Sequence, residues 1–381
     1  MAEDLLKHFT TQQPVILERL RTLVEYESPS GDGARLDALA QFVAAELREI
    51  GMEITLFRHD SAGTNLLARW RGNHRADEKQ LLIVGHLDTV WPVGTLARLP
   101  FRVTTEGAIH GPGVFDMKAG IAVIVEALRR LISHRQPTAH PIALLLTCDE
   151  EVGSATSRVL LEDEACQAVA ALVLEPPLPG GIVKIGRKGI ADFTLRVIGR
   201  AAHAGLDPTK GVNAVVELAH QTLRLAAMND NSHGTTINVG VTQGGTTSNV
   251  VPAEASARID IRFQTPAAWD AIAAQINSLT AVLPDAQLII EGGLDRPPMP
   301  RSAGNLALYE QARQLAAELG FDLREASVGG GSDANFIAAC GVPVLDGLGV
   351  DGDGAHAEHE HILLADIPRR AALLTSLMMR C

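Results

Sequence analysis

The sequence predicts an α/β fold, a mixed sheet flanked by helices, interrupted by a smaller inserted α+β domain. Three observations carry this expectation. Apolar runs of strand length alternate with stretches of helical periodicity. Several of those runs are apolar throughout, as strands buried on both faces are. Near Lys188 the texture changes to alternating strands and two helical stretches, and the earlier pattern returns after a proline-rich segment, Arg296-Pro297-Pro298-Met299-Pro300. With 381 residues the chain has room for two cores at about 100–200 residues each. The expected divisions are residues 1–187 and 298–381 for the main domain and 188–297 for the insert.

Taken in order, helices are expected around Pro14 to Glu25 and Arg35 to Ile50, the second stopped by Gly51. Short strands follow at Glu53 to Phe57 and Asn65 to Arg71, then the buried run Gln80 to Gly85 with His86 at its end. A helix from about Lys118 to Ser133 leads to the strand Ile142 to Thr147, which runs into Asp149-Glu150-Glu151, and the strand Ala170 to Leu174 runs into Glu175. In the insert, strands are expected at Ala191 to Ile198, Thr235 to Val241 and Ala255 to Phe263, with helices at Asn213 to Met228 and Ala267 to Val282. A helix around Leu306 to Leu319 and a short apolar run, Val342 to Leu345, belong again to the main domain.

Composition narrows the function. A formal charge of −12 argues against nucleic acid and anionic membranes as partners, because the mean field repels both; a small-molecule partner fits better. The four cysteines, Cys148, Cys166, Cys340 and Cys381, form no CxxC pair and suggest neither a disulfide framework nor a zinc finger. The acidic start Met1-Ala2-Glu3-Asp4 is not that of a secretory signal, and no uninterrupted apolar segment approaches the ~18 residues of a membrane span. A cytoplasmic enzyme is expected.

Loops at the carboxyl ends of strands converge on one rim of an open α/β sheet, where ligands collect. Three apolar runs deliver an imidazole or acid there: His86, the Asp149 to Glu151 group, and Glu175. Imidazole nitrogen and carboxylate oxygen are zinc donors, although cobalt and manganese accept the same set. Asp116, in the glycine-rich stretch Gly111 to Lys118, has the short side chain suited to bridging two ions, or alternatively to capping the helix that follows. Asp88, two residues after His86, is placed to accept the other ring N–H of that histidine. Of the adjacent Glu150 and Glu151, one is expected to ligate and the other to act as general base, since neighbouring like charges favour protonating one unless a metal takes up the other. His356, His359 and His361 cannot all be ligands, and the acid spacing around Asp351 and Asp353 is wrong for a calcium loop.

Together these segments resemble the aminoacylase and glutamate carboxypeptidase family of co-catalytic zinc hydrolases. The resemblance runs in order through Gly85 to Val90, Gly111 to Gly120, Asp149 to Ser154, Leu174 to Pro176 and Gly354 to His356, and covers essentially the whole chain. It implies a zinc-peptidase-like catalytic domain with an inserted lid and dimerisation domain, hence a homodimer. It implies two divalent ions, with Asp116 bridging, His86 and Glu175 completing one site, Glu151 and His356 the other, and Glu150 as base. It further implies a cis peptide after Asp116, His203 as an oxyanion donor reaching the partner subunit's active site, and Asn249 as a substrate ligand. Arg296 is the candidate for a substrate carboxylate, which its planar fork suits.

The expected activity is metal-dependent cleavage of an amide or peptide bond next to a free carboxylate, with a C-terminal glutamate or related residue as leaving group. Deacylation of a small N-acyl amino acid is the alternative within the family. Two readings of other classes stand beside these. Gly330-Gly331-Ser332-Asp333-Ala334 comes close to the nucleophile elbow of a serine hydrolase, with alanine where the last glycine belongs. A non-catalytic binding protein on the same fold would be marked by loss of the base or a ligand, and none is lost.

Overall fold

Strands without polar side chains must be covered on both faces, and here they form the middle of a sheet. The structure, a computed structural model, describes residues 2–381. Six strands lie in the order Glu53–His59, Gly63–Trp70, Ile142–Thr147, Gln80–His86, Ala168–Val173 and Val344–Leu345. The first two run antiparallel to their neighbours and the remaining four are mutually parallel, so the sheet is mixed. Every residue of Gln80–His86 and Ile142–Thr147 is buried, which is why both read as continuous apolar runs. Helices Ala2–Glu25, Gly33–Glu49, Ala119–Ser133, Ala303–Glu318 and Ile367–Arg380 contribute to the same core.

The first helix starts well before the expected Pro14, which lies inside it. Proline removes one helical hydrogen bond. The stripe Leu5, Phe9, Ile16, Leu20, Leu23 is nevertheless buried along the whole length, and this packing keeps the helix continuous across the proline.

The chain divides into two compact units. One runs to Gly186 and resumes at Arg301–Val328 and Ser332–Cys381; the other is Arg187–Pro300 with Gly329–Gly331. The second unit has its own sheet, in the order Thr236–Gly244, Glu254–Phe263, Gly189–Ile198, Gln287–Arg296, and its own core of Phe193, Leu195, Leu218, Ile259, Phe263 and Ile272 among others. Helices Ala214–Ala227 and Pro266–Asn277 contribute to that core, capped by the side chains of Asn213 and Thr265.

The strand Gln287–Arg296 has no counterpart among the sequence expectations, because the pair Gly292-Gly293 breaks its pattern. Gly292 is needed there: its φ is +117°, and a Cβ would lie 2.1 Å from the carbonyl oxygen of Asp192 on the paired strand. Among the described residues no helix is long and apolar enough to cross a membrane, and the four cysteines are unpaired.

Candidate active site

Parallel strands in matched register bring their carboxyl ends level. His86 pairs with Thr147, so the Asp149 to Glu151 turn begins beside it. On the other side Val84 pairs with Val173 and the Leu174 amide donates to the Val84 carbonyl, which carries Glu175 to the same rim. Asp116 arrives on the loop after the strand Ala108–His110. That loop turns at Gly113, whose φ is +71° and where a Cβ would meet Thr89 Cγ2 at 2.6 Å. The Asp116–Met117 peptide is cis. His356 comes from a turn near the C-terminus in which Gly354 and His356 itself have positive φ.

His86 Nε2 lies 3.1 Å from Asp116 Oδ1 and 3.6 Å from Glu175 Oε1. His356 Nε2 lies 3.1 Å from Glu151 Oε2 and 3.5 Å from Asp116 Oδ2. Asp116 thus stands between two imidazoles with one oxygen toward each. Donor atoms of His86, Asp116 and Glu151 all fall within 4.8 Å of one another, as do those of His86, Glu150 and Glu175.

This arrangement calls for a cation. The Nδ1 of His86 is 3.0 Å from the Asp88 carbonyl oxygen, which only accepts, so Nδ1 carries the proton. In the neutral ring, Nε2 then turns a lone pair toward carboxylate oxygens, acceptor against acceptor, unless a proton or metal ion lies between. Glu151 Oε1 is buried without a hydrogen-bond partner, an arrangement that is costly for a carboxylate oxygen. Burial would lower the basicity of His86, yet hydrogen bonds with Asp116 and Asp88 hold it well above its ordinary value. Hydrogen bonds with Asp116 and Glu151 raise His356 to about 10. Burial would raise Asp116, but His356 and His86 hold it far below the usual carboxylate range. Nitrogen and oxygen donors without thiolate, one carboxylate oxygen left over, and imidazoles aimed at carboxylates fit divalent metal ions.

The Asp88 carboxylate has partners that its spacing from His86 did not indicate. It accepts the backbone N–H of Glu150 at 3.2 Å and of Glu151 at 3.1 Å, and the Ser30 hydroxyl at 2.7 Å. Its distance to His86 Nδ1 is 3.4 Å, longer than that from the same nitrogen to its own carbonyl. Asp88 therefore tethers the acidic turn directly. From the opposite side Asp333 accepts the hydroxyls of Thr147 and Ser154, which flank that turn.

Ser332 is fully buried, donates its hydroxyl to Asp346 Oδ2 at 3.1 Å and accepts the Ala334 N–H. It closes a turn and is not presented as a nucleophile, contrary to what the elbow-like sequence allowed. Glu360, which drew no attention as one member of a charged run, is buried and accepts backbone N–H groups of the Asp116 loop. The available signal was its position four residues after His356, in the adjoining turn.

The remaining candidates belong to the second unit. His203 pairs with Val250, and the Ala204 N–H donates to the Asn249 carbonyl, so His203 and Asn249 are neighbours. Both are exposed. His203 Nδ1 accepts the N–H groups of Gly205 and Leu206, each at 3.1 Å, which leaves the proton on Nε2. Arg296 ends its strand paired with Ile190 and is 4% exposed. It therefore belongs to the sheet, not to the proline-rich exit in which the sequence reading placed it.

Strand-end carboxylates and imidazoles gathered around a cation-demanding centre define a hydrolase class built on an α/β sheet. The family model for peptidase family M20/M25/M40 matches residues 82–380. The chain belongs to this family and is a metallopeptidase-type hydrolase. It is 34% identical to carboxypeptidase G2 of Pseudomonas sp. (strain RS-16), over 97% of this chain and 90% of that one. It is 29% identical to the succinyl-diaminopimelate desuccinylase of Thioalkalivibrio sulfidiphilus (strain HL-EbGR7), over 89% of this chain and 92% of that one. Among solved structures, aminopeptidase PepT from Bacillus cereus ATCC 10987 shares the fold with a TM-score of 0.82 at 23% identity, covering 96% of this chain and 98% of that one.

Proposed function

We propose that this chain is a two-metal amidohydrolase of carboxypeptidase type, cleaving an amide or peptide bond next to a free carboxylate and releasing a C-terminal glutamate or related amino acid. In this reading His86, Asp116 and Glu175 hold one divalent ion, and Asp116, Glu151 and His356 the other. Zinc is the first choice, with cobalt or manganese as substitutes. The observation that carries the reading is Asp116, whose two oxygens face the imidazoles of His86 and His356 at 3.1 and 3.5 Å.

Divalent ions held by these residues would supply Lewis acidity, for a carbonyl and for an attacking water at neutral pH. Glu150 takes the proton of the attacking water and returns it to the leaving nitrogen. Asp88 orients the turn that carries Glu150 and Glu151. The family resemblance assigns His203 to the oxyanion, across a homodimer formed through the inserted unit, and its fixed Nε2–H tautomer supports that role. Asn249 and Arg296 are assigned to the substrate, Arg296 to its carboxylate. The proposed setting is cytoplasmic.

The name of carboxypeptidase G2 supports this reading, and that of the desuccinylase supports deacylation of N-acyl amino acids as a second. A panel of N-acyl and peptidyl amino acids, varied on each side of the amide and offered to the zinc-loaded protein, separates the two. Replacing Glu150→Gln is expected to leave metal content unchanged and to lower kcat by about 100- to 10,000-fold. Full activity in that variant, or turnover by wild-type protein after verified removal of metal, would sink the proposal.

A further inference from the structure

We propose that Glu360 is a positioning residue that locks the loop bearing Asp116 to the turn bearing His356, and thereby sets the affinity of the site for its ions; this rests on the metal reading above. Glu360 is 3% exposed. Its Oε2 accepts the Gly113 N–H at 2.9 Å and the Trp91 Nε1–H at 2.6 Å, and its Oε1 accepts the N–H groups of Phe115 at 2.9 Å and Asp116 at 3.1 Å. Each oxygen therefore accepts two hydrogen bonds.

The left-handed turn at Gly113 points the amides of residues 113, 115 and 116 to one side, an arrangement that binds an anion. Here the acceptor is a carboxyl group of the protein's own chain. The Glu360 N–H donates to the Ala357 carbonyl, and the Ala357 N–H to that of Gly354, so His356 and Glu360 share two successive turns. The next residue, His361, pairs with His110 at the start of the Asp116 loop. A shift of Glu360 therefore moves the His356 and Asp116 segments relative to each other.

The alternative, a brace for the fold alone, is separated by the variant Glu360→Gln. An amide has the same volume but offers one acceptor oxygen in place of two. Whichever way it turns, its NH2 faces two N–H donors. Full-length wild-type and variant proteins are stripped with a chelator and titrated with zinc against a chromogenic competitor. The thermal midpoint of each metal-free protein is recorded, and kcat and KM are measured on the substrate found active in the panel above.

The expected result is a 10- to 100-fold loss of zinc affinity at one or both sites, with lower kcat and little change in KM, beside a metal-free midpoint lowered because the amide NH2 faces two buried N–H donors. Wild-type zinc affinity and kcat in E360Q, whatever its midpoint, would overturn the inference while leaving the proposed function intact. Failure of the wild-type protein to bind zinc, cobalt or manganese would overturn both. If E360Q gives no folded protein, the same titration is read on Trp91→Phe, which removes one of the four donors. A several-fold weaker affinity supports the inference and an unchanged one overturns it.

Discussion

Replacing Asp88→Asn isolates the tether between the end of the Gln80–His86 strand and the acidic turn. In the wild-type protein Oδ1 accepts from Glu150 N–H and Oδ2 from Glu151 N–H and the Ser30 hydroxyl. Asparagine keeps the shape and one of the two acceptors. With its oxygen at the Oδ2 position it retains Glu151 and Ser30 and sets an NH2 against Glu150 N–H; turned over, it abandons the other two. An unsatisfied buried donor costs about 1–3 kcal/mol, and the surviving bonds lose their charge assistance. The sum is about 2–4 kcal/mol, or roughly 4–16 °C in thermal midpoint at about 2–4 °C per kcal/mol for a unit of this size. Because the freed amide belongs to the proposed base or to its ligating neighbour, kcat is expected to fall about 100-fold, the effect of displacing a reacting group by about 1 Å. Calorimetry of the metal-free protein and steady-state kinetics of the zinc-loaded protein measure the two effects. Wild-type kcat in a folded D88N protein would refute the reasoning, because the turn would then hold its position without the tether.

Two further perturbations test the second unit. Glu217 is fully buried and accepts the N–H groups of Val282 and Leu283 and the amide of Gln221, so Glu217→Gln is expected to destabilise that unit by about 1–3 kcal/mol. Burial would raise the Glu217 pKa, but these donors, Gln221 foremost, hold it below its ordinary value. Its contribution is therefore present above the unfolded carboxyl pKa and lost as pH falls through the lower folded value. Hydrogen exchange of the Val282–Leu283 amides should separate wild type from variant at pH 7 and bring them together in acid; a constant difference would contradict the assignment. Gly292→Ala places a methyl group against the Asp192 carbonyl at a positive φ and is expected to cost about 2–4 kcal/mol. Retained protection in the strand pair 189–198 and 287–296 would show that the backbone yields instead.

What the sequence disclosed follows from what each residue depends on. The strands ending at His86 and Thr147 were legible because burial on both faces leaves a continuous apolar run, and their terminal residues followed from the rule about strand ends. The strand Gln287–Arg296 was hidden because Gly292 answers to a backbone contact with Asp192, outside any local periodicity. Asp88 was legible as a neighbour of His86, but not as an acceptor for Glu150 and Glu151, whose amides reach it only through the register of two parallel strands. Glu360 escaped for the same reason, since its donors lie between residues 91 and 116. Ser332 shows the converse: a suggestive motif is emptied of its chemistry by burial and by the Asp346 carboxylate.

The pairing of Glu360 with the Gly113 to Asp116 loop also bears on how the protein matures. Such a contact joins segments far apart in the chain, and it can close only when both are present. In order along the chain, His86, Glu151 and Glu175 precede His356 and Glu360. With the ligand set proposed above, binding of both ions would therefore report that the turn carrying His356 and Glu360 has docked onto the Gly113 to Asp116 loop.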